Sequence, residues 1–345
     1  MQNHKSKKGA LLVNLGSPNS TSVKDVRNYL DEFLMDKRVI DTPYLLRAFV
    51  VKGIILNTRP KKSAEAYKKI WWKEGSPLIV LSERLFKKVT AQSAIPTKLA
   101  MRYGKPSMKQ GIETLVKEGV TEILLVPLYP QFAMATTETI TAKAAALIRK
   151  KHPKVKIETL EPFYNNSEYI EVLSTQIKQE LANKDWQHLL FSYHGIPERH
   201  IRKSDITKSH CKIDKSCCNT PSKSHEFCYR HQCYTTTQLV AKKLGLKEGS
   251  YSTSFQSRLG KDPWLQPYTD QTIDNFPKTG IRKLAVVTPA FVSDCLETLE
   301  EIGMEAQDSF LKNGGESFIN IPCLNDNDSW ANTLSKWINN WNINK

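Results

Sequence analysis

Leu189-Leu190-Phe191-Ser192-Tyr193-His194-Gly195-Ile196-Pro197 is an apolar run that ends in a histidine and then turns on glycine and proline. A short continuous apolar run bounded by turn residues reads as a strand buried on both faces, as in parallel sheets. In open α/β sheets, ligands bind outside the carboxyl ends of the strands. His194 stands at such an end, where a catalytic side chain is expected. A lone histidine at a strand end is more often structural than functional. Its assignment therefore depends on what the rest of the chain brings to it.

Outward from this run, the same pattern recurs. Residues 9–15 are continuously apolar and end in Gly16-Ser17-Pro18, a buried strand and its turn. Further strands are expected at 97–101, 122–126, 155–160, 186–193, 250–255, 283–288 and 317–321. Amphipathic stretches at 105–118, 136–152, 167–183, 235–244, 295–313 and 329–341 fall between them. Strands alternating with helices of this length predict an α/β fold of parallel sheets covered on both faces. A chain of 345 residues suits two domains. The turn-rich Glu161-Pro162-Phe163-Tyr164-Asn165-Asn166 marks a boundary, giving domains over 1–162 and 163–322. A closing helix within 323–345 is expected to pack back on the first domain.

Composition is that of a globular protein, with 40% hydrophobic and 25% charged residues. No apolar run approaches the roughly 20 residues that span a bilayer. The N-terminus, Met1-Gln2-Asn3-His4-Lys5-Ser6-Lys7-Lys8, is basic without an apolar segment behind it, so a cytosolic protein without a signal peptide is expected. The net charge of +15 suits a solvated basic surface, an anionic substrate or an anionic membrane surface. Nucleic acid is the weakest partner class, because the lysines and arginines are scattered and no nucleic-acid module is present.

Two segments interrupt the alternation. Residues 37–72 carry Leu45, Leu46, Phe49, Val50, Val51, Ile54, Ile55 and Leu56 without a strand between them. They read either as a buried helix pair or as an apolar lip over a ligand pocket that touches membrane. Residues 202–227 are polar and rich in Ser, Lys and Cys. Such a segment has no core of its own and needs a metal or the rest of the protein to order it.

A second chemical stretch is Ala290-Phe291-Val292-Ser293-Asp294-Cys295-Leu296-Glu297-Thr298-Leu299-Glu300-Glu301, which opens a helix just after the strand at 283–288. Glu297, Glu301 and Glu305 recur at intervals of four, which sets three carboxylates along one helix face. A solvated acidic face is the usual fate of such a row. Here Glu297 lies close behind a strand end, as His194 does. A histidine and a carboxylate row converging in one cleft can carry protons or a divalent metal.

These two stretches closely resemble ferrochelatases, which insert ferrous iron into a porphyrin. Further agreeing fragments are Leu12-Val13-Asn14-Leu15-Gly16-Ser17-Pro18, Gly75-Ser76-Pro77, Met101-Arg102-Tyr103-Gly104, Pro127-Leu128-Tyr129-Pro130-Gln131-Phe132, Phe255-Gln256-Ser257-Arg258 and Pro263-Trp264-Leu265-Gln266-Pro267-Tyr268-Thr269-Asp270. They occur in the family's order across nearly the whole chain. The resemblance implies two Rossmann-like domains with a porphyrin cleft between them, and ferrous iron as substrate. It implies that His194 and Glu297 bind the metal or take pyrrole protons. Arg59, Tyr67, Ser76, Arg102, Tyr103 and Tyr129 would contact porphyrin, with Trp264 and Phe291 as apolar contacts. Glu301 and Glu305 would continue the acidic row away from the site. The apolar helices around Leu45 would meet the inner face of the membrane, where hydrophobic porphyrin is delivered. Cys295 stands where some relatives have a second histidine, which leaves its role open.

There are seven cysteines, five of them arranged Cys211-x5-Cys217-Cys218-x9-Cys228-x4-Cys233. Clustered cysteines in a cytosolic chain point to metal or redox chemistry before disulfides. No C-x-x-C pair is present, so the spacing is not that of a standard zinc ribbon, and thiolates hold either zinc or a 2Fe–2S cluster. Some ferrochelatases carry a 2Fe–2S cluster. Animal-type members take its ligands from one internal cysteine and a C-terminal extension. That arrangement does not apply, because Met134 occupies the internal position and no cysteine follows Cys323. A minority of bacterial members carry the ligands in an insertion just after the catalytic histidine, and the segment after Arg202 looks like that insertion. The resemblance implies a 2Fe–2S cluster in this segment. Spacing does not choose four ligands among five cysteines; Cys211, Cys218, Cys228 and Cys233 are taken as the ligands, with Cys217 as the spare because adjacent residues rarely both reach one iron pair. Zinc and unliganded thiols are the alternatives.

The expected function is a ferrochelatase acting on protoporphyrin IX. Within the class, the alternative is a chelatase for a more carboxylated porphyrin such as coproporphyrin III, or for another divalent metal. Outside it, a haem- or iron-responsive binding protein on the same scaffold would be marked by loss of the His194–Glu297 pair, and both residues are present.

Overall fold

Among the described residues, eight β-strands form at the eight places the apolar runs indicate. They are β1 (Lys8–Asn14), β2 (Thr97–Met101), β3 (Glu122–Pro127), β4 (Lys156–Thr159), β5 (His188–His194), β6 (Tyr251–Gln256), β7 (Lys283–Val287) and β8 (Ser317–Asn320). The computed structural model describes residues 6–258, 260 and 262–343, so part of the basic N-terminus read above lies outside them. The strands make two four-stranded sheets, ordered β2-β1-β3-β4 and β6-β5-β7-β8. Every pairing is parallel. The central strands β1, β3, β5 and β7 carry the apolar runs, and the inner residues of β1 and β5 are buried throughout. These are the parallel, helix-flanked sheets that the alternation predicts, in the two Rossmann-like units that the resemblance implies.

The chain divides into two units. One comprises Met1–Leu128, Met134–Glu161 and Asn325–Lys345, and the other Tyr129–Ala133 and Pro162–Leu324. In the first unit the closing helix Asp328–Ile343 packs on the helix Pro77–Gln92. Trp330 and Leu334 are fully buried there, and Asn339 donates to the Gln92 carbonyl at 2.9 Å. In the second unit, Leu190 of β5 and Leu284 and Val286 of β7 pack with Ile273, Ile302 and Phe310.

The order within each sheet has a functional consequence. In a 2-1-3-4 arrangement the connections leave the first and third strands on opposite faces, and a crevice opens at their carboxyl ends. In the second unit that place lies between β5 and β7. His194 ends β5, and the stretch from Thr288 to Glu297 follows β7.

Helices differ from the sequence expectation in four places. The stretches at 136–152 and 295–313 begin as π-helices, Met134–Glu138 and Glu297–Ala306, before continuing as α-helices. Their apolar periodicity does not distinguish the wider turn. The expected helix at 235–244 starts earlier and spans Tyr229–Leu244. Its first turns are polar inside, because Gln232 is buried while donating to the carbonyls of His225 and Glu226 and accepting from the Phe132 amide. Residues 44–70 form Tyr44–Ala48, the π-helix Phe49–Ile55 and Leu56–Ile70. They are not a buried pair. Tyr44 is 63% exposed, Leu45 81% and Phe49 66%, whereas Val51 and Leu56 face the core.

Candidate active site

β5 delivers His194 with its main chain pinned. Gly195 follows, and its amide donates to the Gln256 carbonyl at 2.6 Å. The His194 Nδ1 lies 2.6 Å from the Gly195 carbonyl. A carbonyl only accepts, so Nδ1 carries a hydrogen, and in the neutral ring the lone pair belongs to Nε2. The Phe291 ring stands edge-on to the imidazole, centroids 6.2 Å apart. Tyr229 donates its hydroxyl to the His194 carbonyl at 2.8 Å.

Gly195 itself is fixed by a close approach. A Cβ there would meet the carbonyl oxygens of Gln256 and Ser257 at 2.9 Å each, and the Trp264 ring at 3.3 Å. Gly195→Ala is expected to push the ends of β5 and β6 apart, costing about 1–3 kcal/mol of stability. It should lower turnover more than tenfold through the displaced imidazole. Thermal unfolding and steady-state rates on one preparation check both. A fully active Gly195→Ala would show that His194 has slack at this point.

The end of β6 supplies the next two contacts. Gln256 is buried, accepts from the Ser192 hydroxyl at 2.8 Å and donates to the Glu297 carbonyl at 3.1 Å. It thereby ties the start of the π-helix to β5. Ser257 has φ 59°, in the left-handed region that non-glycine residues seldom adopt. Its hydroxyl donates to Glu301 at 2.6 Å. Burial raises the Glu301 carboxyl above its ordinary range, against the hydrogen bond from Ser257 and the attraction of His194, and the charge of Glu297 raises it further. Glu301 is therefore a member of the His194–Glu297 group. A cavity of about 320 Å³ beside it is lined by Ser257, Arg258, Asp270, Asp274, Glu301 and Glu305. Glu305 is exposed at the outer end of the row.

Cys295 is fully buried, and burial with the adjoining Glu297 carboxylate pushes its thiol well above the usual range. A thiol held protonated is a poor metal ligand. It serves as a hydrogen-bond neighbour of Glu297.

The remaining expected contacts fall into separate settings. In the first unit, Arg59 is exposed on the helix Leu56–Ile70, and Tyr67 of the same helix packs edge-on to Trp71. Ser76 is buried at the start of Pro77–Gln92. Arg102 and Tyr103 are both engaged by Asp36, a residue no sequence pattern singled out. Arg102 forms an ion pair with Asp36 and donates to Thr139 Oγ1 at 2.8 Å. Tyr103 is 0% exposed and donates to Asp36 at 3.1 Å. Burial opposes the Asp36 charge, but Thr139, the Arg38 amide, Arg102 and Tyr103 together hold its carboxyl below the usual range. In the second unit, Tyr129 is buried, and Trp264 is half-buried and pairs through its main chain with Pro197.

The cysteine segment is ordered by one carboxylate. Asp205 accepts from the amides of Thr207, His210 and Cys211 at 2.9 Å each, and from the hydroxyls of Thr207 and Ser224. Burial works against the charge, and these bonds outweigh it and hold the carboxyl well below its ordinary range. Cys218 donates its thiol to Cys228, which stands at the N-terminus of Tyr229–Leu244. That bond and the amides of His231 and Arg230 offset burial and draw Cys228 down to about 7. Burial raises the Cys211 thiol to about 11, with Cys228 and Cys217 close by. Cys217, set aside from the sequence, thus stands with Cys211, Cys218 and Cys228. Cys233 is wholly buried against Tyr229. His210 and His225 meet the Cys217 carbonyl at 2.7 and 3.0 Å, and His231 meets that of Cys218 at 2.8 Å. Among the described residues, no three His, Cys, Asp or Glu side chains already form a metal-holding group.

A sequence profile described as Ferrochelatase matches residues 7–341. The ferrochelatase of Pseudomonas fluorescens strain Pf0-1 is 48% identical over 327 residues, covering 94% of this chain and 95% of the relative. That of Opitutus terrae is 46% identical over 337 residues, covering 97% of each. Among solved structures, the sirohydrochlorin chelatase SirB from Bacillus subtilis subspecies spizizenii, in complex with cobalt, superposes with a TM-score of 0.55 at 12% identity, covering 98% of this chain and 97% of that one. SirB from Bacillus subtilis with Fe3+ gives 0.54 at 14%, covering 96% and 93%. At such identities these two structures bear on the fold alone. With the profile and the curated relatives spanning nearly its whole length, this chain belongs to the ferrochelatase family of metal-porphyrin chelatases.

Proposed function

We propose that this chelatase inserts ferrous iron into protoporphyrin IX, with release of the two pyrrole protons, as the last step of haem biosynthesis. The observation that carries the reading is the imidazole of His194, whose Nδ1 is committed to the Gly195 carbonyl and whose Nε2 is left to accept a proton. Metal cannot enter a porphyrin while pyrrole nitrogens hold protons, so a base is required. His194 Nε2 takes such a proton. Glu301, with its carboxyl raised by burial, passes it toward the cavity lined by Glu305. Glu297 receives the incoming iron, and a carboxylate without thiolates binds it loosely enough to give it up. Once Glu301 has taken on the first proton, the freed Nε2 takes the second. Iron insertion under strict anaerobiosis, followed by the haem absorbance, tests this. Haem from protoporphyrin IX and Fe(II) is expected. Faster turnover of coproporphyrin III, or of another divalent metal at equal concentration, would overturn the substrate assignment. Tight haem binding without turnover would favour the binding-protein reading instead.

The chelatase is also inferred to touch membrane peripherally through Tyr44, Leu45, Leu46, Phe49 and Ile54, all exposed. No described helix is long and apolar enough to cross a bilayer. Five exposed apolar side chains on one short stretch suit the headgroup boundary. Leu45→Asp with Phe49→Asp is expected to cut co-sedimentation with anionic vesicles at least fivefold, since each loses burial of about 1.5–3 kcal/mol. Unchanged sedimentation would remove the membrane assignment.

A 2Fe–2S cluster is proposed for Cys211, Cys217, Cys218 and Cys228. The supporting observation is chemical: a hydrogen-bonded cysteine pair at a helix N-terminus, with Cys228 drawn down to about 7 and two more cysteines close by, is a donor set suited to iron. Such a cluster, when bound, supplies one-electron redox chemistry and crosslinks the segment. Protein purified without oxygen should show visible charge-transfer absorbance that Cys228→Ser abolishes. Colourless protein would overturn the cluster, and one equivalent of zinc in metal analysis would replace it.

A further inference from the structure

The peptide joining His194 to Gly195 is held on both sides. Its N–H donates to the Gln256 carbonyl at 2.6 Å, and its carbonyl accepts from Tyr229 at 2.8 Å. With that plane fixed, the imidazole reaches the next carbonyl, that of Gly195, and settles in one tautomer. Gln256 belongs to the neighbouring strand, which any parallel sheet would provide. Tyr229 does not. It is 5% exposed and comes immediately after Cys228, as the first residue of the 16-residue helix Tyr229–Leu244. Its hydroxyl is also within hydrogen-bond range of the Cys233 thiol. Upstream, Cys228 is bonded to Cys218, and the carbonyls of Cys217 and Cys218 are held by His210, His225 and His231. A buried tyrosine ordinarily finds some acceptor for its hydroxyl. Here the acceptor is the main chain of the catalytic residue, and the donor is rooted in the cysteine segment.

We propose that Tyr229 is a positioning residue for His194, and that the cysteine segment governs the pose of the catalytic imidazole through it. This rests on the reading of His194 as the proton acceptor. A change at Cys218 or Cys228 shifts the first turn of the helix, and the Tyr229 hydroxyl carries the shift to the end of β5.

Tyr229→Phe in the full-length protein is the test, because it removes one oxygen and keeps the ring in place. It is expected to lower kcat about tenfold with KM for porphyrin within about twofold. The same substitution on the His194→Ala background should have no further effect, since its only route is through the imidazole. Cys228→Ser should lower kcat in the wild type and not in Tyr229→Phe. Imidazole ¹⁵N shifts give a readout independent of turnover. One His194 tautomer, protonated at Nδ1, is expected in the wild type and a mixture in Tyr229→Phe. Wild-type kcat and a single tautomer in Tyr229→Phe would overturn the proposal, as would an equal loss on both backgrounds. A His194→Ala enzyme as fast as wild type would fail the underlying reading instead, and so is told apart.

Discussion

His194→Ala will lower kcat for haem formation by about three orders of magnitude and leave KM for porphyrin within about threefold. A positioned base contributes roughly 10²–10⁴ to a proton-transfer step. The upper half of that range applies where no substitute stands in line. A neighbouring acid–base group, Glu301, is tied to Ser257 at 2.6 Å, which holds it in its own place in the relay. Binding should survive, because Phe291, edge-on to the imidazole, and Trp264, against Gly195, are untouched by its removal. The fold should survive too. The contacts that pin this strand end run through the main chain of residues 194 and 195, which alanine retains. Stopped-flow measurement with saturating iron separates the two parameters. A raised KM with wild-type kcat would make His194 a binding group and move the base elsewhere.

How much of this was legible follows from which interactions leave a periodic trace. β5 was legible because a strand buried on both faces is largely apolar, interrupted inside only by Ser192, and His194 was conspicuous at its exit, where Gly195 and Pro197 turn the chain. The sheet order was legible only as a class, since alternation dictates parallel pairing but not which strand lies at the centre. Glu297, Glu301 and Glu305 were found by spacing, and a spacing of four keeps side chains near one face in either helix type. The π-helix therefore stayed hidden. Asp36 left no trace. It sits between an apolar helix and a loop, and its meaning comes from Arg102, Tyr103 and Thr139, far away in sequence. Ser257 lay inside a fragment that was noticed, but its left-handed backbone, which turns the hydroxyl onto Glu301, is a property of the fold. Tyr229 was hidden for the opposite reason. It stands among cysteines and histidines that drew the reading toward metal ligation, while its hydroxyl faces the catalytic strand. Adjacency argued against Cys217 as a ligand. The short helix Lys215–Asn219 nevertheless places Cys217 beside Cys211 and Cys218 beside Cys228.

Glu301→Gln is expected to make the protein more stable and the enzyme about a hundredfold slower. The two effects have one cause. Burial raises the Glu301 carboxyl in the folded protein, with Glu297 adding to the rise and Ser257 and His194 opposing it. A carboxyl whose folded pKa lies above its unfolded value binds its proton more tightly when folded. At pH values above both, folding must hold an anion that the site disfavours, so Glu301 subtracts from stability there. As pH falls through the folded value and then the unfolded one, that cost disappears. Glutamine has nearly the same shape and still accepts from Ser257 through its amide oxygen, but it carries no charge. Its Tm should exceed that of the wild type by on the order of 2 °C at pH 7. The two should converge near pH 4, where the wild-type carboxyl is protonated. Catalysis moves the other way. The wild-type rate should fall on the acid side above the ordinary carboxylate range, as Glu301 takes up a proton and stops accepting one from His194. The variant should lack that limb and run about 10²-fold slower at its plateau. Such opposed changes are characteristic of a charge kept for function against the preference of the fold. Wild-type turnover in a stabilised Glu301→Gln would instead return Glu301 to the role its spacing first suggested, one more residue on an acidic helix face.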